Sequence, residues 1–103
     1  MTRYDPEIMD AAFDIIMEAE RGPVKQLPAT TLKKRFPSLR PVHIEDILST
    51  ARSLVAGCYD PAEKARDGIL SHAQALAELK TRYPGFKSET YVKALSWGYF
   101  LSR

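Results

Sequence analysis

The chain has 103 residues, 45% of them hydrophobic and 27% charged, with a formal net charge of +2. That length and balance imply one globular domain with one modest core. No apolar run approaches the roughly 20 residues that a bilayer-crossing helix needs. The segment Met1-Thr2-Arg3-Tyr4-Asp5 has no apolar stretch or cleavage site of a secretion signal. The single cysteine, Cys58, excludes an internal disulfide and fits a reducing, cytoplasmic setting.

The first helix is expected from Asp5-Pro6-Glu7. Asp suits the N-cap, Pro the first helical position and Glu the positive end of the dipole. Ile8, Met9, Ala12, Phe13, Ile16 and Ala19 follow at helical spacing until Gly22-Pro23. On the opposite face Asp10, Asp14 and Glu18 form a stripe that reads as solvated. A loop from Gly22 to Pro28 leads to a short helix, about Thr30 to Phe36, which Pro37-Ser38 ends. A third helix runs from about Pro41 to Ala56, with Ile44, Ile47, Leu48, Ala51, Leu54, Val55 and Cys58 on one stripe and Gly57 just beyond its end. Asp60-Pro61-Ala62-Glu63 has capping-box spacing and opens a fourth helix that keeps its period to Pro84, with Gly68 marking a bend. A fifth helix spans about Ser88 to Leu101. No segment alternates with period two long enough to be a strand. The expectation is an all-α protein, a small bundle of about five helices.

Two stretches match 47 residues apart: Leu32-Lys33-Lys34-Arg35-Phe36-Pro37-Ser38-Leu39-Arg40 and Leu79-Lys80-Thr81-Arg82-Tyr83-Pro84-Gly85-Phe86-Lys87. Tyr4-Asp5-Pro6 likewise pairs with Tyr59-Asp60-Pro61, 55 residues apart. The chain therefore reads as two diverged helix-turn-helix-like units in a single domain, unit one about 4–57 and unit two about 59–103. Unit two looks like unit one with an eight-residue loop removed and two helices fused.

Each turn carries a basic collar. In unit one it is Lys33, Lys34, Arg35 and Arg40; in unit two it is Lys80, Arg82 and Lys87. Arg40 and Lys87 stand where a following helix begins, a position at which a cation opposes the dipole. A bound phosphate would compensate. With His43 at the start of the third helix, these residues suggest a nucleic-acid-binding helix-turn-helix, DNA or RNA being the partner, although Glu45 and Asp46 lie on the same helix. The plainer alternative is a solvated surface turn, and a helix start at Ser38 or Ser88 would remove the anomaly.

The fifth helix has almost no polar face, with Trp97, Tyr99 and Phe100 as anchors. It is either a central core helix or a partner interface, including that of a homodimer, in which Gly98 permits close approach. A protein-interaction module acting through this helix or through the acidic first helix is thus the alternative function. Cys58, His43 and His72 have no zinc spacing and no placed nucleophilic pairing, and no cofactor motif is present. No catalytic residues and no enzymatic activity are expected. Finally, Phe36-Pro37-Ser38-Leu39 followed by Ile44, Ile47 and Leu48 resembles the start of CUE- and UBA-type three-helix modules over about fifteen residues per unit. Arg35 stands where those families have Met, and Tyr83 replaces Phe in unit two. In those families the turn and the end of the third helix bind ubiquitin; no function is carried across on so short a match.

Overall fold

The computed structural model describes residues 4–22 and 26–102. The start of the chain, Met1 to Arg3, and Pro23 to Lys25 within the expected loop lie outside the described residues. Among the described residues there are six helices and no strand: α1 (Pro6–Arg21), α2 (Pro28–Arg35), α3 (Pro41–Gly57), α4 (Tyr59–Arg66), α5 (His72–Arg82) and α6 (Ser88–Leu101). None is long and apolar enough to cross a membrane.

The local signals set several boundaries. Asp5 caps α1, its Oδ1 accepting from the Glu7 amide at 2.9 Å. Pro28 and Pro41 occupy first helical positions, where a missing N–H costs nothing. The α3 and α6 starts fall at Pro41 and Ser88, so Arg40 and Lys87 are the N-caps, and neither receives a side-chain cap hydrogen bond from its own residue. The alternative start at Ser38 does not occur; the start at Ser88 does, but it leaves Lys87 as the N-cap and so keeps the cation at that position.

The long fourth helix does not form. Cys58 keeps right-handed helical geometry (φ −74, ψ −18), so α3 runs almost directly into α4. Gly57 is therefore the last residue of α3 instead of a left-handed cap, and the Tyr83 side chain occupies the space its Cβ would fill. Asp60 lies inside α4, where it pairs with Lys64 at 3.3 Å, and the expected capping box with Glu63 is absent. Glu63 instead accepts from the Tyr59 hydroxyl at 2.9 Å. The helix ends at Gly68, whose φ of +79 an L side chain adopts only with strain. The Ile69 amide bonds to the Lys64 carbonyl at 2.8 Å and the Gly68 amide to the Ala65 carbonyl at 3.2 Å, the Schellman pattern. A new start follows at Ser71, with a full Ser71–Gln74 capping box. The two halves thus share one helix order. They differ most in the first helix, 16 residues in α1 and eight in α4, while the loop expected to be lost is retained.

In each half the first and third helices make the most extensive contact, with the middle helix across both. The core joins Met9, Phe13 and Ile16 of α1, Leu32 of α2 and Ile47, Leu48 and Leu54 of α3 to Ala62, Leu79, Tyr91 and Leu95. Leu39 and Phe86 fold each turn onto it. The particle is flat, 44 × 33 × 18 Å. A helix with side chains is about 10 Å across, so two layers fill the short dimension and every helix has an outer face. For that reason α6 is not buried all round: Tyr91, Ala94, Leu95 and Gly98 face inward, while Val92, Lys93, Ser96 and Phe100 face out. Gly98 does permit a close approach, but the neighbour is the α3–α4 junction of the same chain. A Cβ there would lie 2.5 Å from the Cys58 carbonyl oxygen and 2.7 Å from Ala62 Cβ.

Candidate binding surfaces

The basic turns are built differently in the two halves. In unit one the Lys33 ammonium folds back and donates to the carbonyls of Pro37 (2.6 Å) and Leu39 (2.7 Å). It closes the α2–α3 turn and satisfies two turn carbonyls that lie outside both helices. In unit two a tyrosine ties the turn, through different backbone atoms. The buried Tyr91 hydroxyl donates to the Tyr83 carbonyl at 2.7 Å and accepts from the Phe86 amide at 3.3 Å. Its burial pushes the phenol pKa above the ordinary tyrosine value, which keeps it a donor.

The α6 N-terminus already has its anion. Asp10 Oδ1 accepts from the Lys87 amide at 3.1 Å and from the Thr90 hydroxyl at 2.6 Å. This carboxylate, from another helix, supplies the negative charge that the Lys87 cap position lacks. Asp14 continues the seam by pairing with Lys93 at 3.3 Å. The acidic stripe of α1 is therefore not simply solvated; it faces α6, with Phe13 edge-on to Phe86 beneath.

The remaining collar residues separate. Arg82 is held by Glu78 and by Asp60. Arg35 sits over the Phe36 ring, 5.9 Å from its centroid, and lines a hollow of about 600 Å³ together with Asp14, Glu18, Arg21 and Lys93. His43 is half-buried with Tyr4 edge-on to it at 5.7 Å, and the Tyr4 hydroxyl donates to Asp46 at 2.8 Å. Lys34, Arg40, Lys80 and Lys87 are exposed. Of the eight residues Lys33, Lys34, Arg35, Arg40, His43, Lys80, Arg82 and Lys87, Lys33 is engaged by its own turn and Arg82 by carboxylates.

The three aromatic anchors also divide. Tyr99 stacks on His72 with centroids 6.1 Å apart and meets its Nδ1 at 3.2 Å, so it belongs to the α5–α6 contact. Trp97 and Phe100 stack on each other, centroids 5.3 Å apart and planes 13° from parallel. Phe100 is 53% exposed and its neighbour Leu101 45%. With Glu20, Arg21, Lys93 and Ser96 they line a cavity of about 450 Å³ in the seam between α1 and α6.

Among the described residues no group of three or more His, Cys, Asp and Glu could hold a metal ion. Cys58 is fully buried, bonds to the Val55 carbonyl at 3.1 Å, and burial pushes its thiol up to about 11 from 9.0, so it is a neutral packing group. Asp10 and Tyr91 were not legible as turn-builders, because their partners lie far away in sequence or are backbone atoms. No family model matches the chain, and no curated protein or solved structure does.

Proposed function

We propose that the protein is a non-enzymatic protein-interaction module whose primary contact is the Trp97–Phe100 surface on α6. The observation that carries this reading is the stacked, half-exposed aromatic pair beside Leu101, at the mouth of a cavity with a mixed charged rim. Leu27, Val42 and Ile69 are scattered single exposures of the kind every surface has. An aromatic pair with a cavity, a polar rim and a neighbouring leucine has the anatomy of a binding hot spot. Burying the open half of Phe100 alone contributes roughly 1 kcal/mol. The test is affinity purification from the cells that make the protein, with identification of the bound chain. A stoichiometric partner lost in Phe100→Ser and retained in Arg40→Glu supports the reading; retention in Phe100→Ser overturns it.

One observation favours nucleic-acid binding as a second reading: Lys34 and Arg40 are exposed beside an α3 N-terminus that has no side-chain cap. On that reading duplex DNA binds with steep salt dependence, each neutralised phosphate adding about 0.9 to the log–log slope. Arg40→Glu with Lys34→Glu removes the binding. Absence of a gel shift on DNA and RNA at low salt ends this reading.

A further inference from the structure

A second feature of α6 lies away from the aromatic pair. Ala73, Leu76 and Ala77 of α5 and Tyr91 and Val92 of α6 line an apolar groove of about 300 Å³, closed at one end by Lys80 and Ser88. It shares no lining residue with the Trp97 cavity.

The other half of the molecule shows what this place looks like when it is merely solvated. At the 47-residue spacing, Ala77 corresponds to Thr30 and Val92 to Glu45. Those two sit at equivalent places on α2 and α3 and are polar and exposed. In unit two both are exposed and apolar, Val92 at 46%. Exposed helix positions need no apolar side chain, and two on facing helices make a continuous patch. The cation at the groove's end differs in the same way. Lys33 spends its ammonium on turn carbonyls. Its counterpart Lys80 is exposed, and its ammonium makes no ion pair or hydrogen bond with the described residues; the turn of unit two is tied instead by the Tyr91 hydroxyl, at the Tyr83 carbonyl and the Phe86 amide. The nearby acid on α5, Glu78, is taken by Arg82. The groove is therefore apolar along its length and positive at one end.

We propose that this α5–α6 groove docks an acidic amphipathic helix from a different protein. The helix lays its apolar face on Ala73, Ala77 and Val92 and sets a carboxylate on Lys80. The two alanines let a helix backbone approach closely, and a docked helix lays its own apolar residues, at i, i+3, i+4 and i+7, into such a groove. A second copy of this chain does not offer such a helix: its acidic helix, α1, buries its apolar face of Met9, Phe13 and Ile16 in its own core.

The probe is a synthetic peptide of about five helical turns with leucine at every third or fourth position and glutamate opposite. It is titrated into isotope-labelled full chain and followed by amide chemical shifts. The expected result is movement of Ala73, Leu76, Ala77, Lys80 and Val92 with Kd of about 10–100 μM. Val92→Glu weakens binding about tenfold, a loss of roughly 1.4 kcal/mol. Lys80→Glu weakens the glutamate peptide and strengthens one with lysine in its place. All these side chains are exposed, so unchanged circular dichroism confirms that each variant is folded. No shift at about 1 mM peptide, or shifts confined to Trp97 and Phe100, overturns the proposal; the latter result leaves the interaction surface on the other side of α6 standing. Broadening of the groove signals with rising concentration of the chain alone, with a larger sedimentation coefficient, also overturns it, because a second copy then covers the groove.

Discussion

Replacing Gly98 with alanine sets two opposed effects against each other. Alanine in a helix interior is favoured over glycine by about 1 kcal/mol. Against this, the new Cβ would stand 2.5 Å from the Cys58 carbonyl oxygen, 3.0 Å from the Cys58 carbonyl carbon and 2.7 Å from Ala62 Cβ. Two of those three atoms are backbone and cannot rotate away. Overpacking of this kind costs about 1–3 kcal/mol. The same Cys58 oxygen also accepts the Ala62 amide at 3.3 Å, the first bond of α4, so displacing it forfeits about 1 kcal/mol more. The net is a loss of roughly 1–3 kcal/mol, a fall in Tm of roughly 5–20 °C for a domain of this size. Urea unfolding followed by far-UV circular dichroism measures it, with Gly22→Ala as the control, since nothing lies within 4 Å of a Cβ there. The control changes by less than about 0.5 kcal/mol. A Gly98→Ala midpoint equal to or above that of the unchanged chain refutes the close α4–α6 approach.

Gly68→Ala costs about 1–2 kcal/mol, because φ is +79 there, and Gly68→Asn costs less; thermal unfolding ranks the three chains. Asp10→Ala removes the acceptor for the Lys87 amide and the Thr90 hydroxyl. It lowers stability by about 1–2 kcal/mol, and amide hydrogen exchange rises first in the opening turn of α6; equal exchange there contradicts the capping role. Cys58 resists iodoacetamide at mildly alkaline pH until the chain is unfolded by urea, and mass spectrometry counts the adduct. Its folded pKa of about 11 lies above the unfolded value near 9.0. The stability from its burial is therefore whole below about pH 9 and is lost as pH rises from there through 11. The difference in urea midpoint between the unchanged chain and Cys58→Ala shrinks across that window, and a difference independent of pH contradicts the buried neutral thiol.

The starts of α1, α3 and α6 are legible because their signals are local: Asp5-Pro6, Pro41 and the Pro84-Gly85 break act on their own neighbours. The α4–α5 region was misread because its apolar period runs on smoothly from Ala62 to Tyr83. The decisive signals were a glycine that is tolerable mid-helix and a Ser71–Gln74 box hidden inside the period. The Asp60–Glu63 capping signal lost because Cys58 stays helical and carries α3 forward. At the surface, residue type was legible and engagement was not. Lys33 and Lys80 look identical in the aligned turns, yet one closes its turn and the other does not. The second turn is tied instead by Tyr91, which stands where unit one has Ile44. Likewise Trp97, Tyr99 and Phe100 are neighbours in sequence, but helical rotation sends Tyr99 to His72 and the other two to the α1 seam.

On the proposed function the working surface lies on α6 and not on the basic turns. Its most direct test is photo-crosslinking in the cells that make the protein, with benzoylphenylalanine incorporated in place of Phe100 in one chain and of Arg40 in another. The expected result is a discrete protein adduct through position 100 and none through position 40. An adduct through position 40 alone, to protein or to nucleic acid, contradicts it.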